Sequence, residues 1–120
     1  MIDFMNESSG DTLGIHASGK LTRTDYETIL IPQLAELFKA HGQLNIVFYM
    51  DQTFEGWDLE AAWDDASYGL MHRADFGKLA VVGGPAWVDR SIKLIGFLMK
   101  GEIKVFGSDQ LAQAWQWIST

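Results

Sequence analysis

Three short apolar runs constrain the fold more than any other feature of this chain. LNIVFYM (44–50), KLAVVGG (78–84) and EIKVF (102–106) are β-branched and aromatic, and each is followed by a segment with helical periodicity. Strands alternating with helices specify a mostly parallel sheet joined by right-handed crossovers. Before the first run, residues 2–5 and 12–18 read as a hairpin around the turn-rich NESSGD, which sets the first strand antiparallel to the second. Thr24 opens TDYE, a capping-box pattern with Glu27, for a helix carrying Ile29, Ile31, Leu34, Leu37 and Phe38 and ending at Gly42. Pro32 lies inside that helix and predicts a kink.

Asp58 is the expected N-cap of a helix over 58–72, with Leu59, Ala62, Trp63, Ala66 and Leu70 on one face. Pro85 suits the first turn of a helix over 86–100, and Ser108 the cap of a last helix through Leu111, Trp115 and Ile118. The expectation is one domain over 1–120, an α/β fold of order ββαβαβαβα with a five-stranded mixed, mostly parallel sheet. Strand parity separates two faces. One collects Leu13, Ile15, Ile46, Phe48, Leu79, Val81, Ile103 and Val105; the other is mixed, with His16, Ser18, Asn45, Val47, Tyr49, Ala80, Val82, Lys104 and Phe106. Helices are therefore expected mainly on the first face. Val47, Tyr49, Val82 and Phe106 would leave an apolar patch on the second, which a homodimer would hide.

Composition removes several functions. Sixteen acidic against nine basic residues give a formal charge of −7, which repels nucleic acid phosphate, so no nucleic acid partner is expected. The chain has no cysteine, which excludes disulfides, thiolate metal sites and a cysteine nucleophile and fits a reducing cytoplasm. The N-terminal MIDFMNESSGD lacks the basic and apolar regions of a signal peptide. No apolar run is long enough to span a bilayer.

These elements and four stretches together resemble a known family. FEGW (54–57), AAWDD (61–65), HRADFGKLAVVGG (72–84) and LAQAW (111–115) are similar to the SpoIIAA-like proteins, small bacterial proteins related to the STAS domains. The resemblance covers nearly the whole chain and implies a STAS/SpoIIAA-like fold and a regulatory, protein-interacting role. STAS antagonists carry a phosphorylatable serine after the central strand, at a helix N-terminus, where free amides and the helix dipole favour a phosphate. The corresponding stretch here, DQTFEGWD, offers Thr53 and no serine, and Glu55 and Asp58 would repel an added phosphate. A switch of that kind is not expected.

The candidate sites divide into polar and apolar groups. Asp51, Glu55, Asp58, Glu60, Asp64 and Asp65 could supply acid–base pairs or oxygen ligands, but a cap, first-turn acids and a solvated helix face account for them. His16, His41 and His72 have no zinc spacing. Gly-x-Ser-x-Gly is absent, and VVGGPA lacks both the phosphate-loop lysine and the dinucleotide spacing. No catalytic, metal or cofactor-binding residue is therefore assigned.

The apolar group points to binding. Phe54, Trp57 and Trp87 fall after neighbouring strands, on the rim where α/β proteins hold ligands. The helix over 86–100 is apolar beyond a single stripe and is bracketed by glycines that could act as hinges. The sequence thus suggests a non-catalytic domain binding an apolar or amphipathic small molecule or lipid through Phe54, Trp57, Trp87, Ile92, Ile95 and Met99. Arg90, Lys93 and Lys100 would add contact with an anionic membrane surface, making the protein cytoplasmic and peripheral at the inner membrane. The alternative is a protein-interaction module of STAS type, with a protein partner. A metal-assisted hydrolase built on the acids ranks third.

Overall fold

The computed structural model describes residues 1–58, 76–84 and 102–120. The helices expected over 58–72 and 86–100, with Asp58 as the cap of the first, lie outside the described residues apart from Asp58 itself.

The central sheet has five strands: β1 (Ile2–Phe4), β2 (Thr12–Ala17), β4 (Leu44–Met50), β6 (Phe76–Gly83) and β7 (Glu102–Phe106). They lie in the order β1-β2-β4-β6-β7. β1 pairs antiparallel with β2, and β2–β4, β4–β6 and β6–β7 are all parallel. The hairpin followed by parallel crossovers is the pattern the apolar runs predict. A second, two-stranded parallel sheet joins β3 (Lys20–Leu21) to β5 (Gly56–Trp57). Neither of these two-residue strands is legible in the sequence.

The first helical region starts two residues earlier than expected. Thr22 is extended and its hydroxyl accepts from the Asp25 N–H, while the Asp25 carboxylate accepts from the Thr22 N–H at 2.9 Å. The capping box is therefore Thr22–Asp25, not Thr24–Glu27. The reason is the fully buried Leu21, which ends β3 and fixes where the chain must turn. Thr24 already lies inside α1 (Arg23–Asp25), and Glu27 instead pairs with Arg23 at 2.6 Å.

A π-helical turn, Tyr26–Leu30, separates α1 from α2 (Ile31–His41). The Ile31 N–H reaches back to the Tyr26 carbonyl. Pro32 sits in the first turn of α2, so the irregularity it demands falls on the turn before it. Proline has no N–H and its ring would crowd the preceding carbonyl; the wider turn accommodates both. The helix stops at Gly42, whose N–H donates to the Phe38 carbonyl at 2.8 Å.

The first sheet face carries the larger core. Leu13, Ile15, Ala17, Ile46, Met50 and Val81 pack beneath Tyr26, Leu30 and Leu34, all buried. The second face is covered as well, by α3 (Leu111–Ile118). Val47, Ala80 and Val82 are fully buried there with Ala114, and Phe106 and Ile118 nearly so. Of the apolar patch expected on this face, Val47, Val82 and Phe106 are thus covered within the chain and Tyr49 is half-buried.

Local chemistry explains how α3 sits on a face that includes lysines. The Lys78 ammonium donates to the Trp117 carbonyl and to the Thr120 hydroxyl at 2.9 Å, binding the end of α3. It also lies 5.4 Å from the Trp117 ring centre, and Lys104 lies 5.3 Å from that of Phe106. Their aliphatic stems extend the apolar surface while the charges stay at its margin. The start of α3 differs from the sequence reading. Its N-cap is Gln110, whose side chain accepts from the Gly107 N–H at 2.7 Å, and no side chain caps the helix. A turn closed by the Gln110 N–H on the Gly107 carbonyl keeps Ser108 out of the capping position.

Candidate functional site: a polar cluster at the carboxyl rim

The parallel strands β2 and β4 end side by side, and their register sets His16 opposite Tyr49. Both belong to the second-face parity, and their rings lie 5.1 Å apart at 44°. The chain leaves β4 at Asp51, whose N–H donates to the Ala17 carbonyl. That bond continues the ladder one step past the strand and aims the Asp51 side chain back at β2. The Asp51 Oδ2 meets His16 Nε2 at 2.8 Å. Residues 35 positions apart are brought into contact by strand register alone.

The other carboxylate oxygen organises the following loop. Asp51 Oδ1 accepts from the Thr53 N–H at 2.8 Å and from the Thr53 hydroxyl at 2.6 Å. An aspartate that accepts from the amide two residues on forms an Asx turn, which is a sequence-local preference of Asp. The Thr53 oxygen in turn accepts from the Gly19 N–H at 3.2 Å. The Glu55 N–H then donates to the Gly19 carbonyl and the Asp58 N–H to the Leu21 carbonyl, forming the β3–β5 pairing. One carboxylate therefore joins the imidazole of β2, the loop after β4 and the β2–β3 turn.

The electrostatics follow from this geometry. The Thr53 hydroxyl bond is the largest influence holding the Asp51 carboxyl below its ordinary value. Partial burial works in the opposite direction, and the His16 bond and the Thr53 amide add to the lowering. The cluster is open to solvent, with the His16 side chain 38% and that of Asp51 21% exposed. Thr53 itself is exposed. Among the described residues no set of three or more His, Asp or Glu side chains gathers as metal ligands.

Of the aromatic residues expected to line a ligand mouth, Phe54 and Trp57 pack inward. Phe54 is buried with the first-face core. Trp57 stacks on Phe48 at 6.4 Å between ring centres and meets Phe54 edge-on at 5.1 Å. Its indole N–H donates to the Tyr26 hydroxyl. Each such aromatic pair adds about 0.5–1.5 kcal/mol beyond burial, enough to favour this inward packing over exposure. Phe54 is thus a core residue, and Trp57 presents only part of its surface. Trp87, Ile92, Ile95, Met99, Arg90, Lys93 and Lys100 lie outside the described residues. The sequence weighs Asp51 among the acids and His16 among the histidines without giving either a role, Tyr49 only as part of an apolar patch and Thr53 only as a phosphate acceptor. The Asp-x-Thr turn was the one local signal of the cluster. Among the described residues, no helix is long and apolar enough to cross a membrane.

Comparison with known proteins agrees with this architecture. No curated protein matches the chain. A solved structure does: an uncharacterized protein of the DUF3478 family from Shewanella loihica PV-4, with a SpoIIAA-like fold, is 29% identical. The match covers 98% of this chain and 93% of that one, with a TM-score of 0.74. The SpoIIAA-like family model matches residues 12–119, which takes in both strands of the polar cluster and the helix that covers the second face. The chain belongs to the SpoIIAA-like family.

Proposed function

We propose that this protein is a non-catalytic interaction module of regulatory type, and that its partner meets the carboxyl rim carrying His16, Asp51 and Thr53. The observation that carries the reading is the shared Asp51 carboxylate. It orders an exposed loop against a neighbouring turn and leaves the Thr53 edge and the His16 ring open to solvent. An ordered polar edge of this kind suits recognition of a protein surface, because its donors and acceptors are set before contact and little freedom is lost on binding. The same cluster lacks a nucleophile paired with the imidazole: the Thr53 hydroxyl donates its hydrogen bond to the carboxylate, not to the ring.

The sequence also suggests an apolar or amphipathic ligand, such as lipid, beneath the 86–100 helix. Phe54 and Trp57, the described members of that mouth, support it less, since their rings are spent on core contacts. The two readings part in one experiment. Tagged chain is cross-linked in lysate of its source cells, alongside Thr53→Arg at the rim and Asp11→Arg at the far end of β2. The proposal expects a protein partner retained by Asp11→Arg and lost from Thr53→Arg. Equal capture by all three forms would contradict it. Lipid co-purifying with every form in native mass spectrometry would favour the ligand reading.

A further inference from the structure

The cluster joins an imidazole to a carboxylate through atoms that also fasten a loop. We propose that His16, Asp51 and Thr53 form a proton-controlled latch. It fixes the 51–58 segment against the β2–β3 turn, and it is tightest when His16 carries its proton and Asp51 does not.

The geometry gives each state a different strength. With both groups charged, the 2.8 Å contact between His16 Nε2 and Asp51 Oδ2 is an ion-paired hydrogen bond, and Oδ1 keeps both bonds to Thr53. Loss of the imidazole proton leaves a neutral donor on the same oxygen. Protonation of Asp51 removes one acceptor position and the charge that draws both partners. The Thr53 oxygen passes the effect to the Gly19 N–H, and the adjoining Glu55 N–H to Gly19 carbonyl bond holds the loop.

The groups around His16 favour this assignment. On β1 the register partner of His16 is Asp3, a second acid on the same face. On β4 it is Tyr49, and past the strand Asp51. The described helix over this face, LAQAWQWI, carries no ionisable side chain. Among the described residues, Asp51, Asp3 and Tyr49 are the titratable groups that the strands flanking β2 set beside the ring, and imidazole is the side chain that ordinarily changes charge between about pH 5 and 8. On the acid side the latch persists below the ordinary carboxylate range, because Asp51 is held low.

The consequence for partner binding rests on the rim reading above, but the latch itself is read on the isolated chain. Amide exchange measured by NMR gives protection factors, corrected for intrinsic rate, for Gly19 and Glu55, with Val47 in the core as reference. As pH rises through the imidazole titration, followed on the His16 ring itself, their protection should fall on the order of fivefold relative to Val47. That is roughly the gap between a charged and a neutral hydrogen bond. His16→Gln, which keeps a donor without the charge, should abolish the dependence. Asp51→Asn should give low protection throughout that range. Protection independent of His16 ionisation, or the same dependence in His16→Gln, would overturn the latch. No partner enters this readout, so failure of the rim reading would leave its result unaffected.

Discussion

The two faces of the sheet solve the same burial problem with different chemistry. The first is almost wholly aliphatic and aromatic, and Leu13, Ile15, Ile46 and Val81 pack under a helix that crosses them. The second mixes Val47, Ala80 and Val82 with His16, Tyr49, Lys78 and Lys104, and closes under a tryptophan-rich helix. The mixed face is not bare for being mixed. Lys78 binds the end of α3, Lys78 and Lys104 lie over aromatic rings, and its histidine meets Asp51 at the carboxyl rim. A polar residue on a sheet face thus signals either a margin or a site, and only its position along the strand tells which.

That comparison can be broken most forcefully at Ile118, a nearly buried anchor of α3. Ile118→Ala should cost about 2–5 kcal/mol, the usual loss for truncating a buried aliphatic side chain. If α3 is what hides Val47, Val82 and Phe106, the variant should also self-associate, seen as concentration-dependent sedimentation. A destabilised variant that stays monomeric would show that the second face is less dependent on α3 than its burial implies.

A smaller effect is expected where α3 meets β2. A Cβ at Gly14 would lie 2.7 Å from Trp115 Cζ2 and 2.9 Å from the Met5 Cβ. Gly14→Ala should therefore destabilise by about 1–3 kcal/mol through overpacking. Trp115→Leu in the same chain should recover part of that loss. Additive effects in denaturant melts would mean that the ring is not the obstruction.

On the first face the smallest change concerns the cap. Thr22→Ala should cost about 0.5–2 kcal/mol, whereas Thr24→Ala should cost less, since Thr24 lies within the helix and makes no capping bond. Thermal melts of the two variants rank them directly. A larger loss for Thr24→Ala would restore the capping box first read from TDYE.

These differences mark what the sequence could carry. LNIVFYM and EIKVF match β4 and β7 residue for residue, because a short β-branched and aromatic run followed by a helical period leaves little choice. The capping box slipped by two residues because Thr-x-x-Asp and Thr-x-x-Glu overlap, and only the buried Leu21 decides between them. Leu111, Trp115 and Ile118 declared an amphipathic helix, but nothing in their spacing names the sheet face they cover. The polar cluster was the least legible. Asp51 and Thr53 are local to one turn, while His16 joins them only through parallel register across β2 and β4. Phe54 and Trp57 illustrate the converse: aromatics after a central strand suit a ligand mouth or a core lid equally, and here Tyr26 and Phe48 hold Trp57, which in turn meets Phe54 edge-on.

The central claim is that Asp51 is the shared acceptor of the rim, and its own ionisation tests that claim most directly. Its lowered value means that the carboxylate stabilises the fold above the ordinary carboxylate range, and that this contribution is lost as pH falls through the lowered value. Carboxyl-carbon NMR of Asp51 should accordingly show a titration midpoint below the ordinary range. Thr53→Val should raise that midpoint most and His16→Gln less, in the order of their influence on the carboxylate. A wild-type midpoint in the ordinary range, unmoved by Thr53→Val, would contradict the account.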